Sequence, residues 1–362
     1  MASSGGHWKT LAEAQKLTQS HKIPGVFEED IKRNNPIDRL PVAQAAGTGL
    51  KIEWLQENTT VESAVVEAGV GDQLVWGEDV EYTERESTLR YLYIQRKLDR
   101  YVQNIYGTYN DYKAQVLLEC EKGLKRRCGD RIIYADTTYG GTPTQWDGLH
   151  ALVAERGTPN SASVVAYSDL NLDNEDQGLQ LSLVRRMLDA MLFGTDEIWV
   201  PPEIGIRFDA AYGEYGFRTD TGETLQTIVH GDISLLTRGM NEIGRPIMFF
   251  AGVPIVRTDY LVDEESNTGT GATSNKRAVY SSDRTFSLFG MKYGNALAKQ
   301  PGVCFAYGGT EGEGDLYELW TWDRLEDYNA GGMRLDSYGS VLLSSTKGLA
   351  RIHDVDNSAI IA

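Results

Sequence analysis

Cysteines, basic residues and long apolar runs are all scarce in this chain of 362 residues. The three cysteines, Cys120, Cys128 and Cys304, are an odd number and too few for a disulfide framework. None of them has the Cys or His spacing of a zinc site. On a helix, Cys120 and Cys128 would stand about 12 Å apart along the axis, which is too far for a disulfide. The cysteines therefore favour a reduced, cytoplasmic setting.

Basic residues are outnumbered, since 35 Lys and Arg against 52 Asp and Glu give a net charge of −17. A protein that binds nucleic acid through the phosphates needs clustered positive charge to release counterions. The acidic balance therefore argues against a dominant role in nucleic-acid binding.

The longest apolar-rich run, Ile247–Val256, contains Gly252 and Pro254 and is too short to span a bilayer. Residues Met1–Gly6 lead into a polar stretch without the hydrophobic region of a signal peptide. We therefore expect no contact with a membrane. The composition, 41 % hydrophobic and 24 % charged, is that of a folded globular protein. The length allows about two packed units.

The N-terminal part of the sequence predicts two segments with little core of their own. Residues 1–47 contain three prolines and lack a sustained apolar period, which predicts an extended arm. Thr59–Tyr82 is typical of a β-hairpin that reverses at Gly69–Asp72, because glycine permits the positive φ of a tight turn. Few large apolar residues line this hairpin, and an isolated two-stranded ribbon is marginal in water. Both segments are therefore expected to be held by another chain.

The rest of the sequence predicts a mixture of helices and strands. The clearest helix is Tyr109–Cys128, whose apolar residues recur at three- and four-residue steps and form one stripe. Gly129 is expected to end this helix. A short helix follows Trp146–Leu149, and a second long helix is predicted for Glu175–Phe193. The predicted single strands are Thr88–Leu98, Glu197–Val200, Val303–Tyr307, Leu316–Trp322, Met333–Leu343 and Ala350–His353, and a pair of strands is predicted around Met248–Asp259. Strands before and after the helices, without βαβ alternation, indicate the α+β class.

The residues that carry chemistry do not form a recognisable catalytic or metal motif. His230 precedes a serine and an aspartate, but closeness in sequence does not define a catalytic triad, and a loop histidine is the favoured interpretation. Four alternating polar residues resemble the start of a calcium loop: Asp169, Asn171, Asp173 and Glu175. The sixth and twelfth positions of that loop would be Asn174 and Gln180 instead of a glycine and an acid. A polar loop before a helix explains the pattern better.

The acidic and aromatic segment around Glu318 and Asp323 could indicate the paired carboxylates of a sugar-cleaving enzyme. Its aromatic residues alternate at the period of a strand, however, so a strand with packed aromatic side chains and a solvated acidic edge is the better interpretation. We therefore expect no catalytic residues, no cofactor-binding site and no metal site.

Three local motifs in a fixed order resemble those of a known family. Trp146–Leu149 reads Trp-Asp-Gly-Leu, Gly252–Val256 reads Gly-Val-Pro-Ile-Val with Asp259 after it, and Gly339–Ile352 reads as a strand, a turn and an Ala-containing strand. Together with the arm, the hairpin and the long helix, they resemble the major capsid proteins of tailed bacteriophages, the Hong Kong 97-type fold. The match in order and spacing extends over roughly 300 residues.

The resemblance implies an N-terminal arm at residues 1–47, an E-loop hairpin at 57–86 and a spine helix at about 109–128. The implied peripheral domain consists of residues 48–56, 87–147 and 286–345. The implied axial domain consists of residues 148–285 and 346–362.

The resemblance also implies a structural protein, not an enzyme. Such proteins assemble as hexamers and pentamers into an icosahedral phage head around double-stranded DNA. The implied partners are further copies of the chain, a separate scaffolding protein, a portal and a decoration protein. DNA would make only weak, non-specific contact, and no cofactor is implied. The chain would assemble in the host cytoplasm and reside in the virion.

The expected contacts between subunits are Trp76, Arg85, Arg90, Arg96 and Lys97. The four basic residues belong to the densest cationic stretch of an acidic chain and would meet acidic edges of adjacent subunits; a solvated strand face is the alternative. Two other functions remain open. One is an encapsulin-like compartment that stores a cargo enzyme, and the other is an acidic carbohydrate-active enzyme.

Overall fold

The computed structural model describes residues 29, 31–45, 50–57, 65–73, 82–101, 112–137, 144–156, 170–217, 235–240, 246–265, 284–308, 315–326 and 330–361. The described α-helices are α1 (Tyr112–Tyr134), α2 (Leu149–Arg156), α3 (Leu181–Ala190) and α4 (Pro202–Phe217). The described strands are β1 (Val42–Ala45), β2 (Lys51–Glu57), β3 (Tyr82–Thr88), β4 (Arg90–Asp99), β5 (Asn171–Gln180), β6 (Glu197–Val200), β7 (Leu236–Met240), β8 (Pro246–Phe250), β9 (Val253–Arg257), β10 (Glu264–Glu265), β11 (Arg284–Met291), β12 (Val303–Gly308), β13 (Glu318–Trp322), β14 (Ala330–Leu343) and β15 (Leu349–Ile361).

The strands form two main sheets and one separate ladder. In the smaller sheet the long strand β14 is central, with β4 along one edge and β13 and β12 in succession along the other. The larger sheet has the order β5-β15-β11-β6-β9-β8-β7, and β10 lies beside β11. Strands β2 and β3 pair only with each other in the described part of the chain. Most pairs are antiparallel and helices are interspersed, so the predicted α+β class is confirmed.

The spine helix α1 is longer than the sequence predicted, because Gly129 does not end it. The helix continues to Tyr134, and Gly129 is buried within it. A Cβ atom on Gly129 would overlap the side-chain oxygen of Asn35 and lie 2.9 Å from the Tyr260 ring. The glycine therefore allows another segment to approach the helix closely instead of breaking it.

The Trp-Asp-Gly-Leu motif closes the C-terminal end of α1. The Trp146 indole N–H donates to the carbonyl of Arg131 over 3.1 Å, and the Gly148 N–H donates to the carbonyl of Ala135 over 2.8 Å. The carboxylate of Asp147 accepts hydrogen bonds from the N–H and the hydroxyl of Thr137. The carbonyl of Arg131 also accepts a hydrogen bond from the N–H of Ala135, and the carbonyl of Ala135 follows directly after the helix. The motif therefore donates to two carbonyls at the C-terminal end of α1, where carbonyls run out of donors within the helix.

Replacing Gly148 with alanine is expected to destabilise the chain by about 1–3 kcal/mol. The new Cβ would lie 2.7–2.9 Å from three backbone atoms at the end of α1, so the helix end or the motif must shift. Gly123 provides the control in the same helix, because a Cβ there meets only the Ile94 side chain at 3.6 Å. Gly123→Ala is expected to stabilise the chain by about 0.5–1 kcal/mol. Thermal unfolding of both variants checks this, and shifts of the same sign would contradict it.

The second predicted helix, Glu175–Phe193, is wrong in its first third. Residues up to Gln180 belong to β5, and the helix α3 begins at Leu181. Strand β5 pairs in parallel with β15, and that pairing overrides the local helical pattern. Asp173 accepts a hydrogen bond from the N–H of Glu175, but this closes a bulge in the strand instead of capping a helix. Helix α4 was not predicted, because its glycines weaken the helical pattern.

The described part of the predicted arm is not extended away from the subunit. Ile37, Leu40 and Ala43 are buried, and β1 pairs in parallel with β12. The side-chain amide of Asn35 donates to the carbonyl of Lys125 on α1 and to the hydroxyl of Tyr260. Residues 31–45 are thus part of the core of this subunit, which corrects the expectation for that stretch. Their apolar residues are too few and too closely spaced for a periodic signal.

One core cluster joins the two sheets, because it contains buried side chains of α1, α2, β6, β11, β12, β14 and β15. The predicted domain limits remain a prediction. Strand β11 pairs with β6 and β15 in the larger sheet, although the sequence analysis assigned residues 286–345 to the peripheral domain.

Cys120, Cys128 and Cys304 are free thiols and buried. Burial raises the pKa of the Cys128 thiol to about 12, so this thiol is unreactive near neutral pH. Among the described residues, no helix is long and apolar enough to cross a membrane.

Candidate functional site

The two faces of the smaller sheet have different surroundings. Alternate residues of β4, including Ile94 and Leu98, pack with Met333 of β14 against Val116 and Cys120 of the spine helix. The opposite face of the same strands is rich in aromatic residues. Because side chains alternate along a strand, one face is covered by α1 and the other is left for a different partner or for solvent.

We call this second face the aromatic face; it consists of Tyr91, Tyr93, Trp320, Trp322, Arg334 and Tyr338. Tyr91 stacks on Tyr93 with ring centroids 5.1 Å apart and contacts Tyr338 at 4.6 Å. The exposed fractions are 57 % for Tyr93, 50 % for Trp320, 36 % for Trp322 and 40 % for Tyr338. Contiguous exposed aromatic side chains of this kind are typical of a surface that binds a partner.

A buried carboxylate organises the polar groups of the aromatic face. Asp336 accepts a hydrogen bond of 2.7 Å from the Tyr91 hydroxyl, and its carboxylate lies 3.1 Å from Nε of Arg334. Burial and this carboxylate both raise the pKa of Tyr91, so its hydroxyl stays protonated. The Arg334 guanidinium lies 6.0 Å from the Trp320 ring and 5.5 Å from the Trp322 ring. The tryptophans are therefore held in place within the subunit while half of the Trp320 surface and about a third of the Trp322 surface stay exposed.

Strand β13 confirms the predicted strand but corrects its packing. Its tryptophans are exposed to a large extent instead of packed, and Asp323 is exposed just after the strand. The expected solvated acidic edge is also only partly present, because Glu318 is half-buried opposite Asp336. The alternation in the sequence predicted the strand, but it did not indicate which face of the smaller sheet the spine helix covers.

The structure places the predicted contact residues on different faces. Arg96 lies on the helix side of β4, where its guanidinium interacts with the Cys120 thiol. Arg90 is half-buried, and its Nε is enclosed without a hydrogen-bond partner among the described residues. Lys97 is exposed on the side of the aromatic face. Arg85 lies on β3, where its Nε donates to the side chain of Gln56. Trp76 lies outside the described residues.

The β2–β3 ladder has one face toward its own subunit and one face open. Trp54 and Ile52 pack against the cluster of Cys304, Ala306 and Leu342, and Ser87 forms a hydrogen bond with Ser340. On the open side Leu55 and Tyr82 are exposed.

The described tip of the same hairpin, residues 65–73, turns at Val70 and Gly71 and exposes its three valines, Val65, Val66 and Val70. An apolar tip that the described residues leave exposed agrees with the expectation that another chain holds the hairpin.

His230 and Asp169 lie outside the described residues, so the triad and the complete calcium loop stay untested. The described residues of the aromatic face hold no arrangement of nucleophile, base and orienting group that would define a catalytic site.

Comparison with solved structures identifies the fold. The chain matches the encapsulin in the holo-SrpI complex of Synechococcus elongatus PCC 7942 with a TM-score of 0.63, 13 % identity and 98 % of both chains covered. It matches the capsid of the cyanophage P-SCSP1u with a TM-score of 0.56, 11 % identity, and 94 % and 93 % covered. It matches the capsid of a native GTA particle with a TM-score of 0.56, 9 % identity, and 97 % and 100 % covered.

No family model matches the sequence, and no curated protein matches it. The structural matches extend over nearly the whole chain, so this protein has the Hong Kong 97-type capsid fold, as the sequence motifs predicted.

Proposed function

We propose that this protein is the major capsid protein of a tailed bacteriophage, which assembles into an icosahedral head around double-stranded DNA. The observation that carries the proposal is the match of nearly the entire chain to capsid and shell subunits. Two surfaces that are exposed in the described part of the subunit, the aromatic face and the valine tip of the hairpin, support it. A heterologous interface joins two different surfaces of identical subunits, and such interfaces can close into rings. In a closed assembly each copy would present both of these surfaces to its neighbours.

The second candidate is a protein compartment, favoured by the similarity to an encapsulin. The fold does not separate the two functions, but the contents of the particle do. Shells purified from cells that make the whole native assembly would be analysed for nuclease-protected DNA and, by mass spectrometry, for cargo protein. A phage head contains DNA of defined length and copurifies with a portal. A compartment contains a cargo enzyme and no genome, which would overturn the proposal.

The proposed partners are copies of the same chain in hexamers and pentamers, a separate scaffolding protein, a portal and a decoration protein. Assembly in the host cytoplasm and residence in the virion follow from the same proposal. The net charge of −17 would limit DNA to weak, non-specific contact with the inner wall, because like charges repel.

Reversal of one charge, Lys97→Glu, is expected to slow assembly and to change its dependence on salt. Lys97 is exposed beside the aromatic face, so reversal changes the free energy of unfolding by less than about 0.5 kcal/mol. Across an interface the same reversal changes electrostatic steering and therefore the rate of association. Arg90 is a poorer test because it is half-buried, and reversal there would disturb the fold itself.

Light scattering during assembly at two salt concentrations measures this effect. The matched control is Lys299→Glu, which reverses an exposed lysine in the turn after Ala296–Ala298. Equal assembly of both variants and of the unchanged chain would remove Lys97 from the proposed contacts.

A further inference from the structure

A histidine and two aspartates meet at the edge of the larger sheet, far from the aromatic face in the fold. Strand β15 runs parallel to β5, and His353 stands opposite Asp173 in the register. Directly after this pair the ladder shifts, so that three residues of β5 oppose the single residue Asp354 of β15. Neighbours in a regular strand point to opposite faces. The left-handed conformation of Asp354, with φ of 55°, brings its carboxylate to the imidazole instead.

The three side chains bring their donor atoms within reach of one ion. Nδ1 of His353 lies 2.8 Å from Oδ2 of Asp354 and 4.0 Å from Oδ1 of Asp173. One donor atom from each residue lies within 4.8 Å of the other two. Two ligands of a tetrahedral zinc ion, each about 2.1 Å from the metal, lie about 3.4 Å apart, which falls between these two observed distances. Small side-chain rotations, above all of the exposed Asp173, therefore suffice to place all three on one ion.

The charge of Arg351 reaches the Asp354 carboxylate only at longer range than an ion pair. Among the described residues, no lysine or arginine forms an ion pair with Asp173 or Asp354. The Asp354 carboxylate accepts a weak hydrogen bond from the Thr285 hydroxyl, and Asp173 accepts one from the N–H of Glu175. The side chain of His353 is 7 % exposed and that of Asp354 is 12 % exposed. Two carboxylates beside a buried imidazole form a site that a cation stabilises.

We propose that Asp173, His353 and Asp354 bind a divalent transition-metal ion of the zinc type. One imidazole nitrogen with carboxylate oxygens suits zinc and its neighbours, whereas magnesium and calcium prefer oxygen ligands alone. The exposed Asp173, with a side chain 59 % accessible, leaves an entry path and room for water ligands. The ion links β5 to the C-terminal strand β15 and so fixes the outer edge of the larger sheet. This inference does not depend on the proposed function.

Zinc titration of the full-length chain, after removal of metals with EDTA, tests the proposal. We expect one zinc ion per chain and a rise in the thermal unfolding midpoint that grows with the zinc concentration. Asp173→Asn and His353→Asn are expected to weaken zinc affinity by at least about 10-fold. Magnesium and calcium at the same concentrations should produce no comparable shift. Cobalt, which substitutes for zinc, should give visible absorption bands that both variants lose.

The control variant is Asp356→Asn, which removes a half-buried carboxylate from the same strand, three residues after His353. Its zinc affinity should equal that of the unchanged chain. Because Asp173 is exposed, Asp173→Asn should fold normally even if His353→Asn does not. The proposal is overturned if the unchanged chain binds no zinc below about 1 mM. It is also overturned if Asp173→Asn and Asp356→Asn bind zinc equally well, because the ion would then occupy another site.

Discussion

Replacing Arg351 with methionine is expected to lower the free energy of unfolding by about 3–5 kcal/mol. Nη2 of Arg351 on β15 donates to Oε2 of Glu264 on β10 over 2.7 Å, and both side chains are only 3 % exposed. Methionine fills similar volume but leaves the Glu264 carboxylate buried without its main counter-charge. Thermal or denaturant unfolding of the unassembled chain measures the loss.

The surroundings of Glu264 explain why this position is sensitive. Its carboxylate also accepts hydrogen bonds from the hydroxyls of Ser287, at 2.7 Å, and Tyr134, at 3.1 Å. Nε2 of His150 lies 3.4 Å from Oε2 of the same carboxylate. Through these contacts the pair joins the end of the spine helix, α2, β10, β11 and β15. Its loss should therefore loosen the packing between helix and larger sheet.

The double variant Arg351→Met with Glu264→Gln separates the buried charge from the loss of packing. Without a carboxylate no charge is left unpaired, so the double variant should recover most of the lost stability. A double variant as unstable as Arg351→Met would show that packing, and not charge, causes the effect.

The buried pair of Glu264 and Arg351 also predicts that the stability of the fold depends on pH. Burial alone would raise the pKa of Glu264, but Arg351 and His150 outweigh burial and lower the pKa to about 2. The stabilisation is therefore complete above the ordinary pKa of about 4.5 and is lost as the pH falls toward about 2. In Arg351→Met the carboxylate can be buried in its neutral form at low pH. The difference in stability between the two chains should thus be largest near neutral pH and shrink in acid.

Removing both tryptophans of the aromatic face is expected to abolish assembly without unfolding the subunit. Tryptophan is enriched among the residues that dominate interfaces, and truncating one such residue costs about 2 kcal/mol or more. Two such losses at one contact, together about 4 kcal/mol, would weaken association by roughly 1,000-fold. Neither tryptophan belongs to the buried core of the subunit, and the Arg334 guanidinium lies near both rings, so the fold should persist.

Sedimentation measures the yield of particles from the double variant, which carries both Trp320→Ala and Trp322→Ala. The yield is compared with that of the control variant Leu297→Ala. Leu297 is an exposed apolar residue in a turn away from the aromatic face. Circular dichroism of each unassembled variant confirms that the subunit is folded. Normal particles from the double variant would mean that no subunit covers the aromatic face.

Local patterns predicted the parts of the fold that depend on local chemistry. The apolar stripe identified the spine helix, and strand periods identified β6, β8, β9, β12 and β13. The Trp-Asp-Gly-Leu motif was recognised by its resemblance to the capsid family, and its hydrogen bonds to the end of the spine helix lie within a short stretch of chain. Where a contact between distant parts of the chain determines the secondary structure, the sequence prediction was wrong. Parallel pairing with β15 converted the start of the second predicted helix into β5.

The candidate sites were harder to predict for the same reason. The aromatic face combines side chains of β4, β13 and β14, and only the position of the spine helix determines which face stays open. Asp173 and His353 are 180 residues apart, and only the parallel pairing of β5 with β15 places them opposite each other, so the local pattern around Asp173 indicated a polar loop and not a metal ligand. Nothing in the sequence indicates the ion pair of Glu264 and Arg351 either, because these residues are 87 positions apart.

Electron microscopy of the purified full-length chain, at a concentration where association is favoured, tests the central claim most directly. The account predicts closed particles in which a neighbouring copy covers the aromatic face and contacts the valine tip of the hairpin. Single folded chains at every concentration, with residues 65–73 already resistant to protease, would contradict it.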